Sequence, residues 1–231
     1  GSGGANVTLT SVTGNVNLGA VSAVGDRVDV TAGQEITDVL AGEAANVTAV
    51  DAVLIAGTGV GSADDIDTVI TNLEGSGGTG GFDLGNTGAL TIGGISSVVG
   101  VSAQAGNISV IAASPLTVNE SVVTPDDVLL QANEGGDNAN LDQLILNALV
   151  SGHNVTLNSG DDVIINDTAT ASENLDINAG DGVFINDFIF AGELVSITTG
   201  GTVFGANDTA LTCPNVLSFG PAGGIFADDI L

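Results

Sequence analysis

Between His153 and Phe204, apolar and polar residues recur with a period of 20. Val155, Leu175 and Val195 share one column, and Leu157, Ile177 and Ile197 share another. Gly160, Gly180 and Gly200 align, as do Val163, Val183 and Val203, and then Ile164, Phe184 and Phe204. Asn166 matches Asn186, and Asp167 and Asp187 match Asn207. Within one unit, Leu175-Asp176-Ile177 alternates apolar and polar residues, the period of a strand with one buried face. Asn178 to Gly182 has the composition of a turn. Val183-Phe184-Ile185 resumes the strand and Asn186-Asp187 ends it. Each repeat therefore reads as two short strands around a turn. A unit of this size cannot bury its own apolar face, but stacked units bury a continuous one.

Looser versions run upstream at Asn6–Leu9, Asn15–Leu18, Arg27–Val30, Ala89–Ile92, Asn107–Val110 and Leu116–Val118, and downstream at Val216–Phe219. The whole chain, 1–231, reads as a single β-solenoid domain, with room for about 11 rungs if every repeat forms a coil. Two stretches follow helical spacing instead. Ile66, Val69, Ile70 and Leu73 fall at i, i+3, i+4 and i+7 between an Ser62/Asp65 capping pattern and Gly75. Leu141, Leu144, Ile145, Ala148 and Leu149 repeat the pattern before Gly152. The spacing predicts inserted helices near 62–75 and 140–150, with Gly75 to Gly88 as a flexible loop.

The unit Glu173-Asn174-Leu175-Asp176-Ile177-Asn178-Ala179-Gly180-Asp181-Gly182-Val183-Phe184-Ile185-Asn186 resembles the repeats of filamentous-haemagglutinin-like adhesins. The resemblance spans residues 153–204. It implies a right-handed parallel β-helix and an exported, adhesive protein. Right-handedness also follows from the general preference of parallel crossovers. The expected fold class is therefore all-β, a right-handed parallel β-helix with coils of about 20 residues.

Composition narrows the partners. The chain has 231 residues, 28 acids and one Lys or Arg, Arg27, for a formal net charge of −27. That balance excludes nucleic acid and anionic membranes as partners, since both require cations to meet phosphate. No apolar run is long enough to insert in a membrane as a helix. The absence of an initiator Met and of a basic leader points to a processed product or an excised segment. Cys213 is single, so no intrachain disulfide forms, and the residue reads as a small buried thiol or an interchain link. Trp, Tyr and Met are absent, so Val, Ile, Leu and Ala must fill the core.

Several residues could carry chemistry. Asp161, Asp162, Asp167, Asp181 and Asp187 cluster near turns if the register holds, and oxygen donors of this kind suit calcium. Turn aspartates equally satisfy local backbone N–H groups. Carboxylate pairs at Asp64-Asp65, Asp126-Asp127, Asp161-Asp162 and Asp228-Asp229 could serve a β-helix polysaccharide hydrolase. Neighbouring acids on a strand point to opposite faces, however, and no Trp or Tyr offers a platform for sugar. His153, the one histidine, shows no neighbouring nucleophile or orienting acid, and zinc would need more nitrogen and sulfur ligands than the chain has. Asn6, Asn46, Asn107, Asn119, Asn154, Asn166 and Asn207 head Asn-x-Ser/Thr sequons, candidate glycosylation acceptors in a suitable host. If Val163 and Ile165 point inward, then Ile164, Phe184 and Phe204 form an outward apolar stripe. Such a stripe marks a contact surface unless a helix or the C-terminal tail covers it.

These readings converge on a non-catalytic protein, secreted or at the cell surface, that is structural or adhesive: an adhesin stalk, a matrix component or a fibre subunit. Expected partners are other copies stacked end to end or side by side, a continuation of the same β-helix, or host and matrix glycans. A calcium- or carbohydrate-binding module is the alternative, with calcium as the one candidate cofactor, and a β-helix hydrolase is the third reading.

Overall fold

A computed structural model describes residues 5–133 and 142–205, together with the backbone of the strands Leu211–Thr212, Val216–Phe219 and Ile225–Phe226. It is an all-β parallel solenoid of about nine coils of ~21 residues, with no helix among the described residues. Every pairing is parallel and joins a strand to its counterpart in a neighbouring coil. One column runs Val16, Ile36, Val60, Phe82, Ile108, Val128, Val155, Leu175, Val195 and Leu217. From Ile36 to Val195 its members are at most 2% exposed. Positions 155, 175 and 195 are thus piled one above the next. Burial of each such side chain contributes roughly 1.5–3 kcal/mol before conformational entropy is charged against it.

Each C-terminal coil has three strands, not two. In one coil they are Val155–Ser159, Val163–Ile165 and Ala169–Ala171. The third strand stacks on Val150–Gly152 below and Ile189–Ala191 above. Its inward residues, Ala169 and Ala171, are buried. Because they are small, they add little to a hydrophobic pattern.

The two expected helices are strands. Residues 62–75 contain Ile66–Val69 and the start of Asn72–Ser76. The inward residues are Ile66, Thr68 and Ile70, an alternation disguised by a buried threonine, while Val69 is 41% exposed. Thr68 is tolerated inside because the single proton of its Oγ1 has two acceptors in reach, the Gly85 carbonyl and Asn86 Oδ1, both at 2.9 Å. Asn86 Oδ1 in turn accepts from the Ile70 N–H, so no polar atom there is left dry. Within 140–150, the described residues form Leu144–Leu146 and the start of Val150–Gly152. Leu144 and Leu146 stack on Val163 and Ile165, whereas Leu149 is 36% exposed. Residues 140 and 141 lie outside the described residues.

Gly75 is likewise not a helix stop. It occupies an inward position between Leu54 and Val101, where a Cβ would sit 2.5 Å from the Phe82 ring. The missing side chain makes room for the largest fully buried residue of the core. The Gly75–Gly88 stretch is not a loop: it carries Phe82–Asn86, a five-residue strand paired with Ile108–Ala112.

The stack changes form along its length. Val7–Ser11, Val28–Ala32, Ala52–Ala56 and Asn72–Ser76 make one continuous column. Above it, Asn72–Leu73 pair with Thr91–Ile92, while Gly75–Ser76 pair with Val101–Ser102. One column becomes two, with 93–100 as the connection. Glu74, between the two halves, is fully buried. Its carboxylate accepts from the N–H groups of Ile95 (2.6 Å) and Ser96 (3.0 Å) and from Ser96 Oγ (2.5 Å). The connecting loop thereby satisfies the charge that it covers.

Candidate functional site: an aromatic and acidic outer face

Alternation leaves one residue of each three-residue strand pointing outward. In the second column these are Ile145, Ile164, Phe184 and Phe204, in successive coils. The rings of Phe184 and Phe204 stack with centroids 4.9 Å apart at an interplanar angle of 9°. Phe204 is 45% exposed, and no helix among the described residues covers the column. Past the corner at Asn186-Asp187, Phe188 and Phe190 stack at 6.3 Å. Four of the seven phenylalanines therefore lie in residues 184–204 outside the core, while Phe82 lies within it. Acids border the rings. Asp162 and Asp181 precede the strands, and Asp167 and Asp187 follow them. Gly182 stands between ring and acid, since a Cβ there would be 2.9 Å from Phe184 Cε2 and 3.0 Å from Asp162 Oδ1.

Of the five turn aspartates expected to bind calcium, four have carboxylates that accept from nearby backbone N–H groups, and Asp181 accepts through its backbone carbonyl. Asp161 Oδ2 accepts from the Asp142 N–H, and Asp162 Oδ1 from the Gly182 N–H at 2.9 Å. Asp167 and Asp187 each accept from the N–H of the next residue, Thr168 and Phe188. The Asp181 carbonyl accepts from Thr199 Oγ1. Carboxylates do converge elsewhere: oxygens of Glu43, Asp65 and Asp67 lie within 4.8 Å of one another. Burial, reinforced by repulsion from Asp65, Glu43, Asp38 and Asp64, pushes the Asp67 carboxyl up to about 6. Asp83 is also raised, by burial first, against the opposing hydrogen bond from Ser109.

Outward asparagines are joined in three ladders along the stack. Asn186 donates to Asn166 (2.7 Å), Asn166 to Asn147 (2.8 Å) and Asn147 to Asn119 (2.9 Å). Asn174 donates to Asn154 and Asn154 to Asp127, both at 2.9 Å. Asn178 donates to Asn158 (2.9 Å) and Asn158 to Gln131 (3.2 Å), along a shallow open groove. Four of the sequon asparagines are thus placed: Asn119 and Asn166 in the first ladder, Asn154 in the second, and Asn107 beneath it, accepting from the Asp127 N–H. Asn6 is exposed, and its Oδ1 accepts from the Arg27 N–H. Asn46 is fully buried, its amide donating to the Leu18 carbonyl and to Asp38. Asn207 and Cys213 lie outside the described residues.

His153 has company that sequence reasoning missed. Its Nδ1 is 2.9 Å from Ser172 Oγ, and its Nε2 is 2.9 Å from Glu173 Oε2. The coil period itself carries the signal, because Glu173 is one coil beyond His153. The arrangement has the members of a nucleophilic relay, but the nearby backbone donors are committed. The N–H groups of Ser172, Glu173, Gly192 and Glu193 bind the carbonyls of Gly152, His153, Ala171 and Glu173. An acyl-transfer site needs such donors aimed at the developing oxyanion. Arg27 is also engaged, its Nε donating to Asp29 at 2.9 Å. Comparison with protein families, with curated proteins and with solved structures finds no match for this chain.

Proposed function

We propose that the chain is a non-catalytic structural and adhesive β-solenoid, secreted or at the cell surface, that holds a contact face on a stiff rod. The observation that carries this reading is the register column from Val16 to Leu217, which runs through the whole stack. A rod built this way has a largely aliphatic interior, and several of its outward asparagines are hydrogen-bonded to their neighbours in the next coil. That arrangement favours mechanical persistence over a reactive cleft. The Ser172–His153–Glu173 group lies in the open, with its nearby backbone donors taken, which supports a role in coil-to-coil bonding. The adhesin-like repeat at 173–186 favours an exterior location.

Negative-stain micrographs and light scattering test the proposal. About nine coils at ~4.8 Å give a rod of about 45 Å, single or joined into longer filaments. Globular particles, or turnover of acidic or neutral polysaccharides, would sink it. Calorimetry with calcium and with neutral glycans tests the binding-module alternative.

A further inference from the structure

We infer that the outer corner carrying Phe184, Phe204, Phe188 and Phe190 docks an arginine-bearing segment of a partner polypeptide. This rests on the scaffold reading and names what its contact face takes. The argument begins with where the aromatic residues go. Among the described residues the apolar core is aliphatic apart from Phe82, yet four phenylalanines are placed outward within 21 consecutive positions. Folding gains less from an aromatic ring at such a position than in the interior, whereas recognition surfaces are enriched in them.

The acids define the partner. Asp162 shares the Gly182 gap with the Phe184 ring and supplies charge there, its oxygens accepting from the Gly182 N–H and Gln143 Nε2, while Asp187, between the two ring pairs in the sequence, accepts from the Phe188 N–H through Oδ1 alone. A ring face attracts a cation through its quadrupole, and a carboxylate beside it adds Coulombic attraction and a hydrogen-bond acceptor. A guanidinium uses both at once, because it is planar, stacks on rings and forks onto carboxylates. A second copy of this chain cannot supply that group in quantity, since Arg27 is its one Lys or Arg and is held by Asp29.

A net charge of −27 attracts any polycation, so the test must separate the corner from bulk charge. Fluorescence anisotropy with a labelled decapeptide of alternating arginine and glycine, in about 0.15 M salt where the Debye length is about 8 Å, provides the measurement. The matched lysine–glycine peptide is the control probe. Saturable binding is expected for the arginine peptide, with the lysine peptide weaker by several-fold. Phe204→Ser and Phe184→Ser are each expected to weaken the arginine peptide, together on the order of tenfold. Asp187→Asn is expected to weaken it more than Asp51→Asn, which removes the same charge far from the corner. Equal affinity for both peptides, or no effect of the Phe substitutions on a chain whose circular dichroism is unchanged, overturns the assignment. Loss of the β signal in the Phe184 variant shifts the decision to Phe204→Ser, at the more exposed ring. Failure of the rod in micrographs counts against the scaffold itself, independently of peptide affinity.

Discussion

The column Gly160, Gly180 and Gly200 provides a sharp test of coil stacking. Gly180 needs no unusual backbone angle; what it needs is clearance. A Cβ at Gly180 would lie 1.8 Å from the Gly160 carbonyl oxygen and 2.9 Å from its carbon. Both are backbone atoms, so no side-chain rotation relieves the clash. In Gly180→Ala the two coils must separate locally by more than an ångström. That movement strains the Gly180 N–H to Ser159 carbonyl bond (3.1 Å) and the Asp181 N–H to Asp161 carbonyl bond (2.9 Å). Leaving two backbone groups poorly satisfied costs roughly 1–3 kcal/mol each, so a loss of about 2–6 kcal/mol is expected. For a chain of this size, at roughly 2–4 °C per kcal/mol, that corresponds to a drop in Tm of about 4–24 °C. Urea titration and thermal melts followed by circular dichroism measure it. Hydrogen exchange should show the loss centred on the coils at 160–200, because solenoid repeats couple mainly to neighbours. Gly19→Ala is the control, since a Cβ there meets nothing within 4 Å. A Gly180→Ala protein within about 0.5 kcal/mol of the parent, the range of ordinary surface substitutions, would refute the stacking argument.

Three further outcomes follow from the same physics. Ile177→Ala opens a cavity in a fully buried column and is expected to cost about 2–5 kcal/mol by urea titration, far more than Asn166→Ala in the exposed ladder. Asp67 is raised on folding, so the folded state binds more protons than the unfolded chain between pH 3.8 and about 6. Its unfavourable contribution is therefore absent at low pH, grows as pH rises through that window and is complete above it. Solvent screening limits the effect to about 1 kcal/mol or less. Asp67→Asn should accordingly raise Tm at pH 7, leave it nearly unchanged at pH 3.5 and flatten the slope between; an equal shift at both pH values would contradict this. Ser172→Ala is expected to leave hydrolysis of small activated esters at the parent rate, and a clear loss of turnover would restore a catalytic role to the His153 group.

The aliphatic columns were legible because large β-branched and leucine side chains recur at a fixed interval from 153 to 204. Where small or polar residues take inward positions, the pattern fades. Ala169 and Ala171 hid a third strand, and Thr68 turned an alternation into an apparent helical stripe. Gly75 resembled a stop signal, although its role is to admit the ring of Phe82, a residue of the next coil. The outward stripe through Ile164, Phe184 and Phe204 was readable from strand alternation. Two other features required knowing which residues the coil brings together. The His153–Glu173 contact follows from the period, but only once coils are stacked. The burial of Glu74 depends on a loop 21 to 22 residues further along the chain.

The branching of the ladder at Glu74 gives the molecule an internal asymmetry. From Val155 to Val195 successive coils keep a spacing of 20 residues, so a segment such as 174–193 could be removed or duplicated and the flanking strands would still find partners of the right length. Across 72–101 no such exchange is open, because the strands below are continuous where those above are interrupted. Growth by repeat duplication is therefore open on one side of the branch, and the branch itself stands as a fixed junction that lengthening the rod leaves in place.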